Sequence, residues 1–279
     1  MKIVIGIDVG GSTTKIVGIR EENGQRTLIK PQFIKANDPI TATYGAFGKF
    51  TDENNISISD ITKVVMTGVG ASHVKSNLYG IDCVRVPEFN CIGKGGIYLS
   101  GLDRALVVSM GTGTAIVNAG KDTDTEYLGG TGVGGGTLLG LSKLLVGAAE
   151  VEHISAFAEE GDLGNVDLRI KDLTSSGAKH ELNADMTAAN FGNVSDVASK
   201  GDIAAGILNL VYETVGMVSI FAARSRSVDN IVLTGNLTKL GSCVKKFEEF
   251  NNMGYGVNFI IPEQSEYSTV IGCALLAFD

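Results

Sequence analysis

Basic charge is in short supply in this sequence. Its 23 Lys and Arg stand against 31 Asp and Glu in 279 residues, so the electrostatic footprint of a nucleic-acid binder is not expected. Cysteine is equally sparse: Cys83, Cys91, Cys243 and Cys273 form no CxxC pair and no zinc spacing, which reads as reduced thiols serving mostly as core filler in a cytoplasmic protein. The histidines His73, His153 and His180 stand apart and make no metal set, which leaves them to surface or packing roles. No apolar run reaches the roughly 18 residues that a spanning helix needs. Asp8 interrupts the N-terminal run "MKIVIGIDVGG" too early for a signal peptide, and a soluble chain with no membrane partner is the expectation. No Gly-x-Ser-x-Gly elbow is present to start a hydrolase triad. Proline is scarce too, at 4 residues, while glycine reaches 37 and clusters between apolar segments. That points to tight turns and close backbone approaches in an ordered α/β protein with few disordered linkers.

What is present is a pattern that occurs twice. "KIVIGID" is a nearly continuous apolar run, as expected of a strand covered on both faces, and "TKIVGIR" after the Gly-Gly turn reads as its hairpin partner. Between Ala105 and Gly120 the arrangement returns, with "ALVVSM" as the strand, "GTGT" as the glycine turn and "AIVNAG" as the partner. Each hairpin is followed further on by a strand ending in Thr-Gly, in "ITKVVMTGVGASHV" and in "VDNIVLTGNLTKLG". A repeat of a whole half-domain predicts two similar lobes facing each other, divided near "LSGLDR" into residues 1–103 and 104–279. Helices are expected between these landmarks. "TLLGLSKLLVGA" sets Leu138, Leu141, Leu144 and Leu145 on one face. A long helix starts at a capping Asp202, ends in arginines and carries a stripe of Ile203, Ile207, Leu210, Val211, Val218 and Phe221. The last helix, "STVIGCALLAF", is expected to pack back against the interior.

Several stretches suit anion chemistry. In "DVGGSTTK", from Asp8 through Val9, Gly10, Gly11, Ser12, Thr13 and Thr14 to Lys15, bare backbone lets N–H groups approach phosphate oxygens, and the hydroxyls and the ammonium add donors. Asp8 repels phosphate but can hold hydrated magnesium beside it. On its own the stretch reads equally as a Gly-Gly hairpin turn with a solvent-facing aspartate. Gly111, Thr112, Gly113 and Thr114 repeat the logic in the equivalent place, so two hairpins facing across a cleft would grip a polyphosphate from both sides. "GGTGVGGGTLLGL" runs a glycine loop into a helix start at Gly135, Gly136, Thr137, Leu138 and Leu139, where N–H groups favour an anion, although close helix packing explains one or two of these glycines. It is neither a Walker loop nor a dinucleotide fingerprint. Glu88, in "VRVPEFNCIGKGG", stands between a strand and a probable helix. It reads either as a surface residue at a helix start or as a base that takes a hydroxyl proton during attack on phosphorus.

The two hairpins together with "IVLTGN" resemble the superfamily of acetate kinase, sugar kinases, Hsp70 and actin. Within it, "EFNCIGKGGIYL", "GGTGVGGGTLLGL", "EEGDLGNVDLRIKDL", "MTAANFGNV" and "EYSTVIGCALL" are similar to the type II pantothenate kinases, in that family's order over essentially the whole chain. The resemblance implies an α/β, two-lobed actin-like ATPase (ribonuclease H-like) fold with an ATP cleft between duplicated halves. It implies transfer of the γ-phosphoryl group of ATP, with Mg2+, to the 4′-hydroxyl of pantothenate or a pantetheine-like acceptor, the opening step of coenzyme A synthesis. Coenzyme A or its thioesters as feedback ligands and a homodimer built around the long helix follow from the same analogy. By resemblance Glu88 is the catalytic base, Asp8 to Lys15 the first phosphate loop, Thr112 the second, which also meets the substrate, and Gly135 to Leu139 the ATP loop. Gly235 and Asn236 form the nucleotide-side turn. One position departs: the family commonly has an arginine two residues before the Gly-Gly of the glycine loop, near substrate and transferring phosphate, and this chain has Tyr127, preceded by Glu126. A tyrosine cannot neutralise developing charge. The change implies weaker activity, a different substrate, or a cation from elsewhere, with Lys94 and Lys121 as candidates. It keeps open a sugar or amino-sugar kinase and a weakly catalytic ATP- or coenzyme A-binding regulator.

Overall fold

The computed structural model describes residues 2–11, 13–35, 38–74, 77–173 and 183–278. Ser12 of the first phosphate loop and His180 lie outside them. The chain opens with β1 (Lys2–Val9), β2 (Thr14–Glu22), β3 (Gln25–Ile34), α1 (Pro39–Glu53), β4 (Ile61–Thr67), β5 (Asn77–Leu78), β6 (Ile81–Arg85) and α2 (Glu88–Ser100). The pattern restarts with β7 (Arg104–Met110), β8 (Thr114–Gly120) and β9 (Thr123–Thr131), followed by α3 (Gly135–Leu145), α4 (Val151–Glu159), β10 (Leu168–Arg169), α5 (Ile170–Leu173) and β11 (Thr187–Ala189). It closes with α6 (Lys200–Arg226), β12 (Asn230–Thr234), α7 (Gly241–Asn252), β13 (Asn258–Ile260) and α8 (Ser268–Leu275).

The duplication is complete at the level of the sheets. One runs β3-β2-β1-β4-β6-β5 and the other β9-β8-β7-β12-β13. In both, the expected hairpin is antiparallel and its first strand pairs in parallel with the strand that ends in Thr-Gly. β3 and β9 add a third antiparallel strand beyond what the apolar runs predict. Both lie at a sheet edge and are largely exposed, so they lack a continuous apolar signal. Pro31 is tolerated in β3 because an edge strand can dispense with an N–H.

Each sheet is covered on both faces, which is why its central strands are apolar throughout. Ile3, Ile5, Ile7 and Val9 pack with Phe47 and Phe50 of α1. On the opposite face Val17 and Ile19 meet Val270, Ile271 and Ala274 of α8. In the second sheet Leu106, Val108 and Met110 meet Ile207, Val211 and Val215 of α6, while Ala105 and Val107 meet Ile92 and Ile97 of α2. The covering helices are therefore exchanged: α2 follows the first sheet but packs on the second, and α8 follows the second but packs on the first, as expected of a last helix returning to the interior. They touch through bare backbone, since a Cβ at Gly95 would strike the Ser268 carbonyl and one at Gly272 the Cys91 carbonyl.

Three helical expectations are corrected. The cap of α6 is Ser199, whose hydroxyl accepts from the Asp202 N–H at 3.1 Å while Asp202 accepts from the Ser199 N–H at 2.8 Å. Asp202 is thus the third helical residue of a capping box, where a reciprocal pair satisfies two otherwise free N–H groups. Along α6, Ile207 and Val211 are buried but Val218 and Phe221 face outward, while their neighbours Ser219, Ile220 and Ala223 are fully buried, so the end of the helix is covered on a different set of positions from the predicted stripe. In α3, Leu138 is buried whereas Leu144 and Leu145 are exposed where the helix ends. By length and composition α6 is apolar enough to cross a membrane, yet 61% of its most apolar window is buried inside the protein, as in a core helix.

Candidate active site

The two hairpin turns are tied to one segment ahead of α8: Lys15 beside the first donates to the Glu266 carbonyl, and Gly235 beneath the second donates to the Ser265 carbonyl. In the first, Asp8 near the end of β1 stands opposite Lys15 on β2, and Gly10 N–H to Thr13 carbonyl at 3.0 Å closes the turn. Burial raises the Asp8 carboxyl pKa, and the Lys15 charge opposes that rise. Burial lowers the Lys15 pKa against the pull of Asp8 and Glu266. The lysine is 8% exposed, and its ammonium donates to the Glu266 carbonyl. Lys15 therefore braces the turn from behind, while Gly11 is exposed and Thr13 half-buried at the front.

Gly68, at φ +88°, seals the base of this turn, where a Cβ would lie 2.6 Å from Asp8 Oδ1. Gly235, at φ +95°, does the same under the second turn, against the Met110 backbone. Both conformations favour glycine. Its neighbour Asn236 opens a short 3-10 turn with an exposed side chain.

The second turn is stitched on every side. Gly111 N–H bonds the Gly113 carbonyl at 2.9 Å, and Thr114 Oγ1 donates to the Val133 carbonyl at 2.8 Å. Gly135 and Gly136, at the start of α3, spend their N–H groups on the Gly111 and Thr112 carbonyls at 2.9 and 2.8 Å. The Thr137 hydroxyl donates to the Gly132 carbonyl at 2.9 Å, Leu138 is buried and Leu139 is half-buried. The glycine loop thus acts as a strut that holds the second turn.

Glu88 is the first residue of α2. The residue is exposed at the cleft, yet its carboxyl group sits within enough protein that burial raises its pKa, and the Asp8 charge raises it further. That coupling brings together the two carboxylates that the sequence singles out separately. Among the described residues no cluster of three or more metal-ligating side chains exists; Asp8 is the carboxylate that could hold a hydrated magnesium ion beside a polyphosphate.

Tyr127 on β9 stacks on Phe89, the residue after Glu88, with ring centroids 3.9 Å apart and planes 10° from parallel. The preceding Glu126 points away and receives Arg226 at 2.7 and 3.1 Å. Of the two candidate substitute cations, Lys121 is paired with Asp103 at 2.9 Å, and Lys94 lines a cavity of 320 Å³ with Asn90, Lys121, Thr125 and Leu276.

Two features escape the sequence. The motifs "GNVDL" and "TAANFG" meet around Asp167, which is fully buried and accepts from the Phe191 N–H at 2.8 Å, Asn209 Nδ2 at 2.7 Å and Asn190 Nδ2 at 3.3 Å. Asn190 and Thr187 continue to Glu213, which pairs with Lys246 at 2.9 Å. These residues fasten the segment before α6 to its core. Two contacts also join segments far apart in the chain, Lys239 over the Phe33 ring at 5.7 Å and Lys35 to Glu150 at 3.8 Å; nothing local in the sequence signals either.

The chain is similar to known proteins in sequence and in fold. The sequence model of the family described as Fumble matches residues 104–259. The type II pantothenate kinase of Oceanobacillus iheyensis is 31% identical over 266 residues, spanning 92% of this chain and 93% of that protein. The Staphylococcus aureus enzyme of the same name is 28% identical, spanning 98% of each. Among solved structures, the activator of 2-hydroxyisocaproyl-CoA dehydratase from Clostridium difficile with bound ADPNP superposes with a TM-score of 0.70 at 17% identity, over 99% of this chain and 94% of that one. A ROK family glucokinase from Streptomyces griseus, in complex with glucose and AMPPNP, does so with a TM-score of 0.61 at 12% identity, over 98% of both. The fold is therefore the two-lobed α/β fold of the actin-like ATPases.

Proposed function

This chain belongs to the type II pantothenate kinase family, and on that premise we propose that it phosphorylates pantothenate at its 4′-hydroxyl with ATP, opening coenzyme A synthesis. The observation that carries the reading is the duplicated pair of glycine turns, each sealed by a left-handed glycine and one bearing Asp8 opposite Lys15, with Glu88 at the start of α2. We take residues 1–103 and 104–279 as the two lobes, with ATP between them.

The polyphosphate is held between the turn at Gly10, Gly11, Ser12, Thr13 and Thr14 and the turn at Gly111 to Thr114. Asp8 is the group that would hold Mg2+ through water, and the ion, when bound, supplies charge neutralisation on the phosphates. Glu88 accepts the proton of the acceptor hydroxyl as that oxygen bonds to the γ-phosphorus and the bond to the ADP oxygen breaks. Burial keeps its pKa raised, which makes the carboxylate a stronger base. Gly235 and Asn236 border the nucleoside side, with Thr112 and Tyr127 toward the acceptor. The Phe33–Lys239 and Lys35–Glu150 contacts would hold the lobes closed and exclude water from the transfer. The outward Val218 and Phe221 of α6 suit a homodimer face, coenzyme A or its thioesters are candidate feedback ligands, and the four free thiols suit a cytoplasmic setting.

An exposed aromatic pair in place of an arginine also favours a second reading, a sugar or amino-sugar kinase. A panel of pantothenate, pantetheine, hexoses and amino sugars, read by ATP consumption, decides between them. Turnover of pantothenate or pantetheine supports the proposal, and turnover of a sugar alone sinks it. Tight ATP binding with no transfer to any acceptor would instead mark the chain as a regulator that keeps the grip without the rate.

A further inference from the structure

The first turn stands at the end of a row of side chains that runs across its sheet. Asp8 on β1 is set against Lys15 on β2, and Lys15 against Phe33 on β3. Directly opposed residues share a face of the sheet, and this is the face on which Val17 and Ile19 meet α8. Phe33, on the edge strand, is the open end of the row, at 46% exposure.

A cation from the second half of the chain stands over that open end. Lys239 Nζ lies 5.7 Å from the centre of the Phe33 ring, and its charge is near enough to Lys15 to help lower the pKa of that group. The backbone that carries it is fastened beneath the second turn: Gly235 abuts the Met110 backbone, its N–H donates to the Ser265 carbonyl at 3.1 Å, and the Thr238 hydroxyl donates to the Gly235 carbonyl at 2.7 Å. In the 3-10 turn from Asn236 to Lys239, Leu237 and Thr238 are buried while Asn236 and Lys239 are exposed. Side chains three residues apart in such a turn eclipse each other, so Lys239 rises on the same side as Asn236. One residue is thus anchored under the second turn and delivers its ammonium beside the first.

Other cations near the row are already engaged. Lys15 donates to the Glu266 carbonyl, and Lys35 pairs with Glu150 at 3.8 Å. Lys239 has the Phe33 ring as its partner and no ion pair among the described residues. A ring face attracts an ammonium without accepting a strong hydrogen bond from it, so the three N–H groups stay available to an anion.

We propose that Lys239 is a phosphate-binding residue of the transfer site: held over Phe33, it donates to the polyphosphate of ATP between the two turns and supplies the positive charge that Tyr127 does not. This rests on the reading of the cleft as the ATP site and is independent of which alcohol is the acceptor. Phe33 orients the ammonium and does not itself bind phosphate.

The test is calorimetric affinity of the full chain for ATP, ADP and adenosine, in the natural protein and in Lys239→Met, Lys239→Arg and Phe33→Ala. Lys239→Met should weaken ATP and ADP on the order of tenfold or more and leave adenosine unchanged, which also reports that the variant is folded. Lys239→Arg keeps the charge and should retain most of the affinity, and Phe33→Ala should weaken ATP much less than Lys239→Met. Added salt should weaken ATP binding more steeply in the natural chain than in Lys239→Met. Unchanged ATP affinity in Lys239→Met, or equal losses in Lys239→Met and Phe33→Ala, overturns the inference, the second by showing that the pair only latches two segments together; either result leaves the proposed function intact. A natural chain that binds no ATP overturns both.

Discussion

The two hairpin turns occupy equivalent places and are built from opposite chemistry. In the first, the strand register sets a half-buried Asp8 against a buried Lys15. In the second, the corresponding register sets Ser109 against Ala115. The first turn is closed by one bond between Gly10 and Thr13 and sealed by Gly68, whereas the second is bonded to itself, to Val133 and to the glycine loop. The frame was copied: strand order, the left-handed glycine under each turn and the exchanged helices recur in both halves. The charges were not, and Asp8 and Glu88, the proposed titratable groups of the reaction, both lie in the first half. One turn is uncharged and braced, the other holds charge, and on the proposed function the charged one is where the proton is moved.

Breaking this asymmetry gives the largest effect. Asp8→Asn should lower kcat on the order of a hundredfold or more, while Ser109→Ala at the equivalent position leaves the rate near the original; steady-state kinetics on both variants separates the halves. A loss of similar size in both would mean that the second turn also handles charge. Next come the two sealing glycines, where the halves should behave alike. Gly68→Ala and Gly235→Ala each force a side chain into a left-handed conformation and against backbone, at a cost of about 2–4 kcal/mol in denaturant unfolding. A much smaller cost at one of them would show that the copied frame has drifted. The smallest expected effect concerns the brace: Thr114→Val removes one hydroxyl bond to the Val133 carbonyl and should cost about 1 kcal/mol, with a raised KM for ATP where stability alone would leave it unchanged.

Much of this frame is legible in the sequence because it is local. Apolar runs, glycine turns and the Thr-Gly strand ends mark both hairpins and their parallel neighbours, and Glu88 is visible at a strand-to-helix boundary. What escapes is long-range. Lys15 looks like a free cation in "GSTTK" but bonds a carbonyl 251 residues away. The glycines of "GVGGGT" look like open anion donors, yet two of their N–H groups serve the second turn. Asp202 looks like a helix cap because Ser199 is equally capable and only geometry ranks them. The partner of Phe89 lies on another sheet strand, and no periodicity links Asp167 to Asn190 and Asn209. Edge strands β3 and β9 are hidden by their exposure.

The central claim is that the charged half performs the chemistry through Glu88. Because burial and the nearby Asp8 charge raise its pKa, the acid limb of kcat should lie above the ordinary carboxylate range, with the rate falling as pH drops and Glu88 protonates. The sign for stability is the reverse. A raised folded-state pKa gives a contribution that is present below the unfolded carboxylate value and lost as pH rises through the folded one, so Glu88→Gln should be at least as stable as the natural chain at neutral pH. The direct measurement is kcat for pantothenate phosphorylation by Glu88→Gln across pH, alongside its ATP affinity. The account predicts a fall on the order of 10²–10⁴, loss of the acid limb and unchanged ATP binding; a folded Glu88→Gln protein that turns over near the original rate would contradict it.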